Sequence, residues 1–98
     1  MRSIVTQGDG IIKRRISISN GLGLHARMAA RIAETVRDFD CQVILSKDGL
    51  EAEAESVLSI LTLDAPKGST LTVSASGPQA EQALEALAGL LQQDSGAN

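Results

Sequence analysis

Between Ile11 and Asp38 the apolar residues change from alternate spacing to spacing by threes and fours, and the change falls within Asn20-Gly21-Leu22-Gly23-Leu24-His25. A strand must hand over to a helix inside that short stretch, and its two glycines allow so tight a turn. His25, the only histidine, then stands at or just before the first helical turn. The first N–H groups of a helix lack intrahelical acceptors, yet positions 21 to 25 hold no Ser, Thr, Asp or Asn to cap them. That end is left open to an outside acceptor. Amide donors, the positive end of the helix dipole and the Arg27 guanidinium together suit an anion, above all a phosphate or phosphoryl group. The same dipole favours a phosphoryl group placed on the ring, so His25 is a candidate nucleophile and covalent carrier. Spacing alone favours a solvent-exposed turn histidine with no chemical role.

The remaining pattern frames this corner. Ile11 to Ser19 reads as a strand with Ile12, Ile16 and Ile18 on one face and Lys13, Arg15 and Ser17 on the other; Arg14 interrupts the apolar face and calls for an edge or mouth position. The first helix is expected from Ala26 to Asp38, with Met28, Ala29, Ile32, Ala33, Val36 and Phe39 inward and Arg27, Arg31, Glu34 and Asp38 on the opposite flank. Arg27 therefore points away from the core, and Arg31, one turn on, either adds longer-range attraction at the anion site or, the favoured reading, pairs with Glu34. Cys41 to Lys47 and Leu50 to Ala54 are strands joined by Asp48-Gly49, a pair typical of a two-residue hairpin. Glu51, Glu53 and Glu55 alternate with Ala52 and Ala54, giving one acidic and one small apolar face. Ser56 fits the N-cap of a short helix containing Val57, Leu58, Ile60 and Leu61. Thr70 to Ser76 is the fourth strand, and Gly77-Pro78 is expected to open a last helix, with Pro in its first turn and Ala80, Ala83, Leu84, Leu87, Leu90 and Leu91 as its buried stripe. The order βαββαβα indicates an α+β fold, an antiparallel sheet covered by helices, for which a ferredoxin-like arrangement is an alternative.

A chain of 98 residues suits one domain with one modest core, and with Phe39 the only aromatic that core must be built from Ile, Leu, Val and Ala. We expect that domain over residues 11–92, preceded by a flexible extension, residues 1–10, and followed by a disordered tail, residues 93–98. Neither a signal-peptide core nor a run of transmembrane length is visible, so the expectation is a cytoplasmic protein that does not associate with membranes. Cys41 is the single cysteine and reads as a small buried residue; one His and one Cys make no metal-ligand cluster. Net charge is −3, but residues 1–47 carry eight Lys or Arg against four acids, and residues 48–98 one Lys against eight acids. That division can orient a charged partner, or reflect ordinary solvated faces. Acidic balance and a lack of stacking aromatics argue against nucleic-acid binding. No set of nucleophile, base and orienter marks a self-contained hydrolase.

Gly23-Leu24-His25-Ala26-Arg27, followed by Met28-Ala29-Ala30, resembles the active-site signature of the HPr family, the histidine-containing phosphocarriers of the bacterial phosphotransferase system. The resemblance runs from about Ile11 to Leu91 and includes Ala54-Glu55-Ser56-Val57-Leu58-Ser59-Ile60-Leu61 and the Ala65-Pro66-Lys67-Gly68 turn. Asn20 to His25, Glu51 to Ser56 and Gly77-Pro78-Gln79 are most similar to NPr, the nitrogen-related subfamily. The resemblance implies an HPr-like open-faced β-sandwich, with four antiparallel strands and three helices on one face. It also implies a monomeric phosphoryl carrier, not a self-contained enzyme, with no cofactor and no metal. Such a carrier accepts phosphate on His25 Nδ1 from enzyme I, itself charged by phosphoenolpyruvate, and donates it to a IIA component in sugar uptake or nitrogen-related regulation. Arg27 and the amides at Ala26 and Arg27 would stabilise the phosphoryl group. Partners would dock around His25, Ala26, Arg27 and Ala30 and on Val57, Leu58 and Leu61.

Ser56 falls where many Gram-positive HPr proteins are phosphorylated by an ATP-dependent HPr kinase, so regulatory phosphorylation there is a further implication. Two positions depart from the common pattern. Met28 stands where many members have Pro, which restores a backbone donor, and Leu22 stands where many sugar-system members have a polar residue. The alternative function is a regulatory HPr-like module that controls a transporter, kinase or transcription factor through the same surface.

Overall fold

The structure is a computed structural model, and it describes residues 10–92. The expected N-terminal extension and C-terminal tail lie, but for Gly10, outside the described residues. Seven elements follow in order: β1 (Ile12–Ser17), α1 (Ala26–Arg37), β2 (Gln42–Lys47), β3 (Leu50–Glu53), α2 (Val57–Leu61), β4 (Thr70–Ser76) and α3 (Ala80–Leu91).

The strands form one antiparallel sheet in the order β1-β4-β2-β3. β1 and β2 run parallel with β4 between them, and β3 and β4 run parallel with β2 between them. Each pair therefore needs a crossover, which α1 and α2 supply. α3 packs on β1 and β4, α2 on β3, and α1 on the other two helices, so the helices share one face of the sheet. This is the open-faced sandwich.

Register shows how alternation sorts the residues. Arg14, Val73, Leu45 and Ala52 lie in one row on the covered face, while Arg15, Thr72, Ser46 and Glu51 lie in the next row on the open face. Arg14 is tolerated on the apolar side because β1 is an edge strand, where its side chain is only half-buried. Between sheet and helices the core is aliphatic, centred on Ile32, Val36, Leu45, Ile60, Leu71 and Leu84, each fully buried.

Local rules account for most boundaries. Asp48 and Gly49 both have positive φ, 54° and 85°, as a tight hairpin requires. Ser56 caps α2, its Oγ accepting from Ser59 N at 3.2 Å. Several expectations need correction. β1 ends at Ser17, but Ile18 stays buried because its backbone pairs with Gly68 and Ser69 (2.8 Å each). α3 does not open at Pro78: Ala80 N bonds Gly77 O at 3.2 Å, making Gly77–Ala80 a turn, and the helix starts at Ala80. Gln79 occupies the N-cap but turns its Oε1 to Asp40 N (2.8 Å), and its own N–H donates to Asp40 O (3.0 Å). Phe39 lies beyond α1 and, like Leu90, is half-buried against the core. Arg31 and Glu34 are both exposed and do not pair with each other, whereas Arg37 donates to Glu55 O at 3.2 Å. Among the described residues no helix is long and apolar enough to cross a membrane.

Leu45 sits on an inner strand under the helices and is fully buried. Truncation by Leu45→Ala is expected to remove about 3 kcal/mol of stability, read as a lower urea midpoint with little change in slope.

Candidate functional site

The loop between β1 and α1 is held at successive points. Ser19 N donates to Leu91 O (2.9 Å) at the end of α3, and Gly23 N to Asn20 O (3.3 Å), which closes a turn with Leu22 near its tip. Leu24 N donates to Ala65 O at 2.8 Å, and the Leu24 side chain is buried. Gly23 has φ +66°, and a Cβ there would stand 2.5 Å from Ala65 O and 2.8 Å from two Pro66 backbone atoms. Only glycine satisfies both the dihedral and the close approach. Asn20 is 3% exposed, and its Nδ2 is buried without a partner among the described residues.

This anchoring delivers His25 to the N-cap of α1 in an extended conformation (φ −97°, ψ 177°), with no side chain capping the helix. The first intrahelical bond runs from Ala29 N to His25 O at 2.9 Å. The N–H groups of Ala26, Arg27 and Met28 precede it and lie at the positive end of the helix. Ala26 and Arg27 are exposed and His25 is half-buried, so all three residues are accessible at the start of α1. Met28 divides its roles: the side chain is 5% exposed and belongs to the core, while its backbone offers an N–H that proline would lack.

The other expected contact residues are distributed unevenly. Leu58 is 79% exposed, whereas Val57 and Leu61 are half-buried against the core and Ala30 is half-buried on α1. α2 packs on α1, and the segment leaving α2 carries Ala65, which holds the histidine loop. Ser56 is half-buried, with Oγ engaged as the α2 cap. Sequence reasoning missed the Ala65–Pro66 seat beneath Gly23, because nothing local to the histidine motif names a partner so far along the chain. It also missed the burial of Asn20 and the display of Leu22, which is 73% exposed.

Cys41 departs from expectation: it precedes β2 and is half-buried, not fully enclosed. Burial pushes its thiol above the ordinary range, and the nearby charges of Asp40 and Glu55 push it further. No group of three or more His, Cys, Asp or Glu able to hold a metal ion is present among the described residues.

The family model described as "PTS HPr component phosphorylation site" matches residues 12–93. The chain belongs to the HPr family. Phosphocarrier protein NPr of Escherichia coli (strain K12) is 46% identical over 80 residues, covering 81% of this chain and 89% of that protein. Phosphocarrier protein HPr of Cupriavidus necator is 36% identical over 81 residues, 83% of this chain and 91% of that one. Among solved structures, HPr from Bacillus anthracis str. Ames superposes with a TM-score of 0.81 at 35% identity, covering 84% of this chain and 98% of that one. The HPr fold expected from the motif is thus present, and the higher identity to NPr matches the NPr-like residues around His25.

Gly23→Ala should cost roughly 2 kcal/mol and loosen the His25 corner, measurable as a lowered Tm with faster amide exchange at Leu24. Alkylation of Cys41 by iodoacetamide should follow a pH curve displaced upward from that of free cysteine, since only the thiolate reacts. The displacement should vanish in urea.

Proposed function

We propose that this HPr-family chain is a phosphoryl carrier of a phosphoenolpyruvate-dependent phosphotransferase system, with His25 as the covalent site. The observation that carries this reading is His25 at the open N-terminus of α1, followed by the Ala26 and Arg27 amides, with Arg27 exposed and without an ion pair among the described residues. In the transfer, the lone pair of His25 Nδ1 forms the bond to phosphorus while the donor's own bond to phosphorus breaks and its electron pair stays with the donor. Delivery to the acceptor is the same displacement with the imidazole leaving. The amides and Arg27 offset charge on the phosphoryl oxygens, and Arg27 stays solvated, so the phosphate is oriented without being trapped. A carrier with a deep, dry phosphate pocket would not let go.

Enzyme I is the donor in this reading and a IIA component the acceptor, in the cytoplasm, with residues 11–92 as the working unit. The NPr relatives, the NPr-like loop and Leu22 support the nitrogen-related branch over sugar uptake. Ser56 caps α2, its Oγ accepting from Ser59 N, and the resemblance to NPr favours that structural role over regulatory phosphorylation. Incubation with an HPr kinase and ATP is expected to leave it unmodified, as read by phosphopeptide mapping.

Intact-mass spectrometry after incubation with phosphoenolpyruvate, magnesium and enzyme I from the same source is the decisive test. One acid-labile phosphoryl adduct is expected on the wild-type chain and none on His25→Ala. Arg27→Ala should still accept phosphate, at a rate lowered roughly tenfold. Absence of the adduct, with an enzyme I competent on another carrier, would sink the proposal.

A further inference from the structure

Leu22 and Leu58 are the two most exposed large apolar residues described, at 73% and 79%. Leu22 is held outward. Its turn is closed by the Gly23 N to Asn20 O bond, buried Asn20 fixes one side, and Gly23 pressed against Ala65–Pro66 fixes the other. A loose segment could fold a leucine back onto the protein, but a turn clamped on both sides cannot. Leu58 is likewise displayed by a capped helix whose Ile60 is buried and whose Val57 and Leu61 lean on the core. The Leu24 N to Ala65 O bond ties the histidine loop to the segment leaving α2.

We propose that Leu22 is a partner-selecting contact that enters an apolar recess on the phosphoryl-donor protein during transfer to His25. The proposal rests on the carrier reading above. Direct transfer brings the donor's phosphorus within bonding distance of the His25 ring, so the donor surface must close over the corner that Leu22 borders, three residues away on the same clamped loop. An exposed leucine gains by being covered there, and a polar surface opposite it would lose solvation without gaining a hydrogen bond. Charge marks the rest of the footprint. Arg27 and Arg31 are exposed on α1 and have no ion pair among the described residues, so the fitting partner combines the recess with acidic side chains beside it. A donor with a polar group opposite Leu22 is disfavoured, which makes the residue a discriminator as well as an anchor.

The test is the initial rate of His25 phosphorylation by phosphoenolpyruvate-charged enzyme I from the same source, measured against carrier concentration. Wild type, Leu22→Ser, Leu22→Met and Leu50→Ser are compared; Leu50 is also exposed, at 54%, but lies at the start of β3. We expect Leu22→Ser to raise KM for the carrier about tenfold with kcat within about twofold and Tm unchanged. Leu22→Met should restore KM, and Leu50→Ser should not move it. Equal KM values for wild type and Leu22→Ser, an equal rise in Leu50→Ser, or a fall in kcat alone would each overturn the proposal while leaving the carrier reading intact. An effect seen only in transfer to the IIA acceptor would overturn the assignment to the donor. A wild-type chain that takes up no phosphate would overturn the carrier reading, and this one with it.

Discussion

The hydrogen bond from Leu24 N to Ala65 O, with Gly23 pressed against Pro66, is the contact on which the candidate site depends. It joins the loop that carries His25 to the segment following α2, and so sets where α1 begins. Because Gly23 lacks a Cβ, the two backbones meet at a distance no other residue permits. Leu24, buried beside this contact, makes the attachment apolar as well as polar. His25 can then occupy an N-cap position without capping, and the helix end stays available to an anion.

Holding a reactive residue on a loop usually trades rigidity for access. Here the backbone is rigid and the side chains are accessible, since the hydrogen bonds that fix the loop are made by the main chain of Ser19, Gly23 and Leu24. The ring of His25, the guanidinium of Arg27 and the side chain of Leu22 make none of them. Met28 shows the same economy: its thioether serves the core while its amide stays with the open helix end.

The charge division between the two halves of the chain acquires a spatial meaning in the sheet. β1 and β3 are the outer strands, so Lys13 and Arg15 lie along one edge of the open face and Glu51 and Glu53 along the other, with Thr72, Ser74 and Ser46 between. Solvated charges on both edges also discourage pairing with strands of other molecules. Most of this was legible in advance, because period-two alternation assigns faces whatever the strand order. Strand order itself was not legible: Arg14 asked for an edge, but only the pairing of β1 with β4 made it one. The start of α3 was misread for a similar reason. Pro78 is well suited to a first helical turn, but the cross-loop bonds between Gln79 and Asp40 hold Gly77–Ala80 as a turn and delay the helix.

Sequence by itself determined the elements, the aliphatic core, the Asp48-Gly49 hairpin, the Ser56 cap and the placing of His25 at an uncapped helix start. Each of these depends on residues close together in the chain, where backbone preference and apolar periodicity decide the outcome. Tertiary structure alone decided which strands are edges, that Ala65–Pro66 is the seat of the histidine loop, that Cys41 stays half-buried, and that Leu22 faces outward while Val57 and Leu61 lean inward. These outcomes rest on contacts between segments distant in sequence, and no local pattern encodes which distant backbone will come close enough to require a glycine.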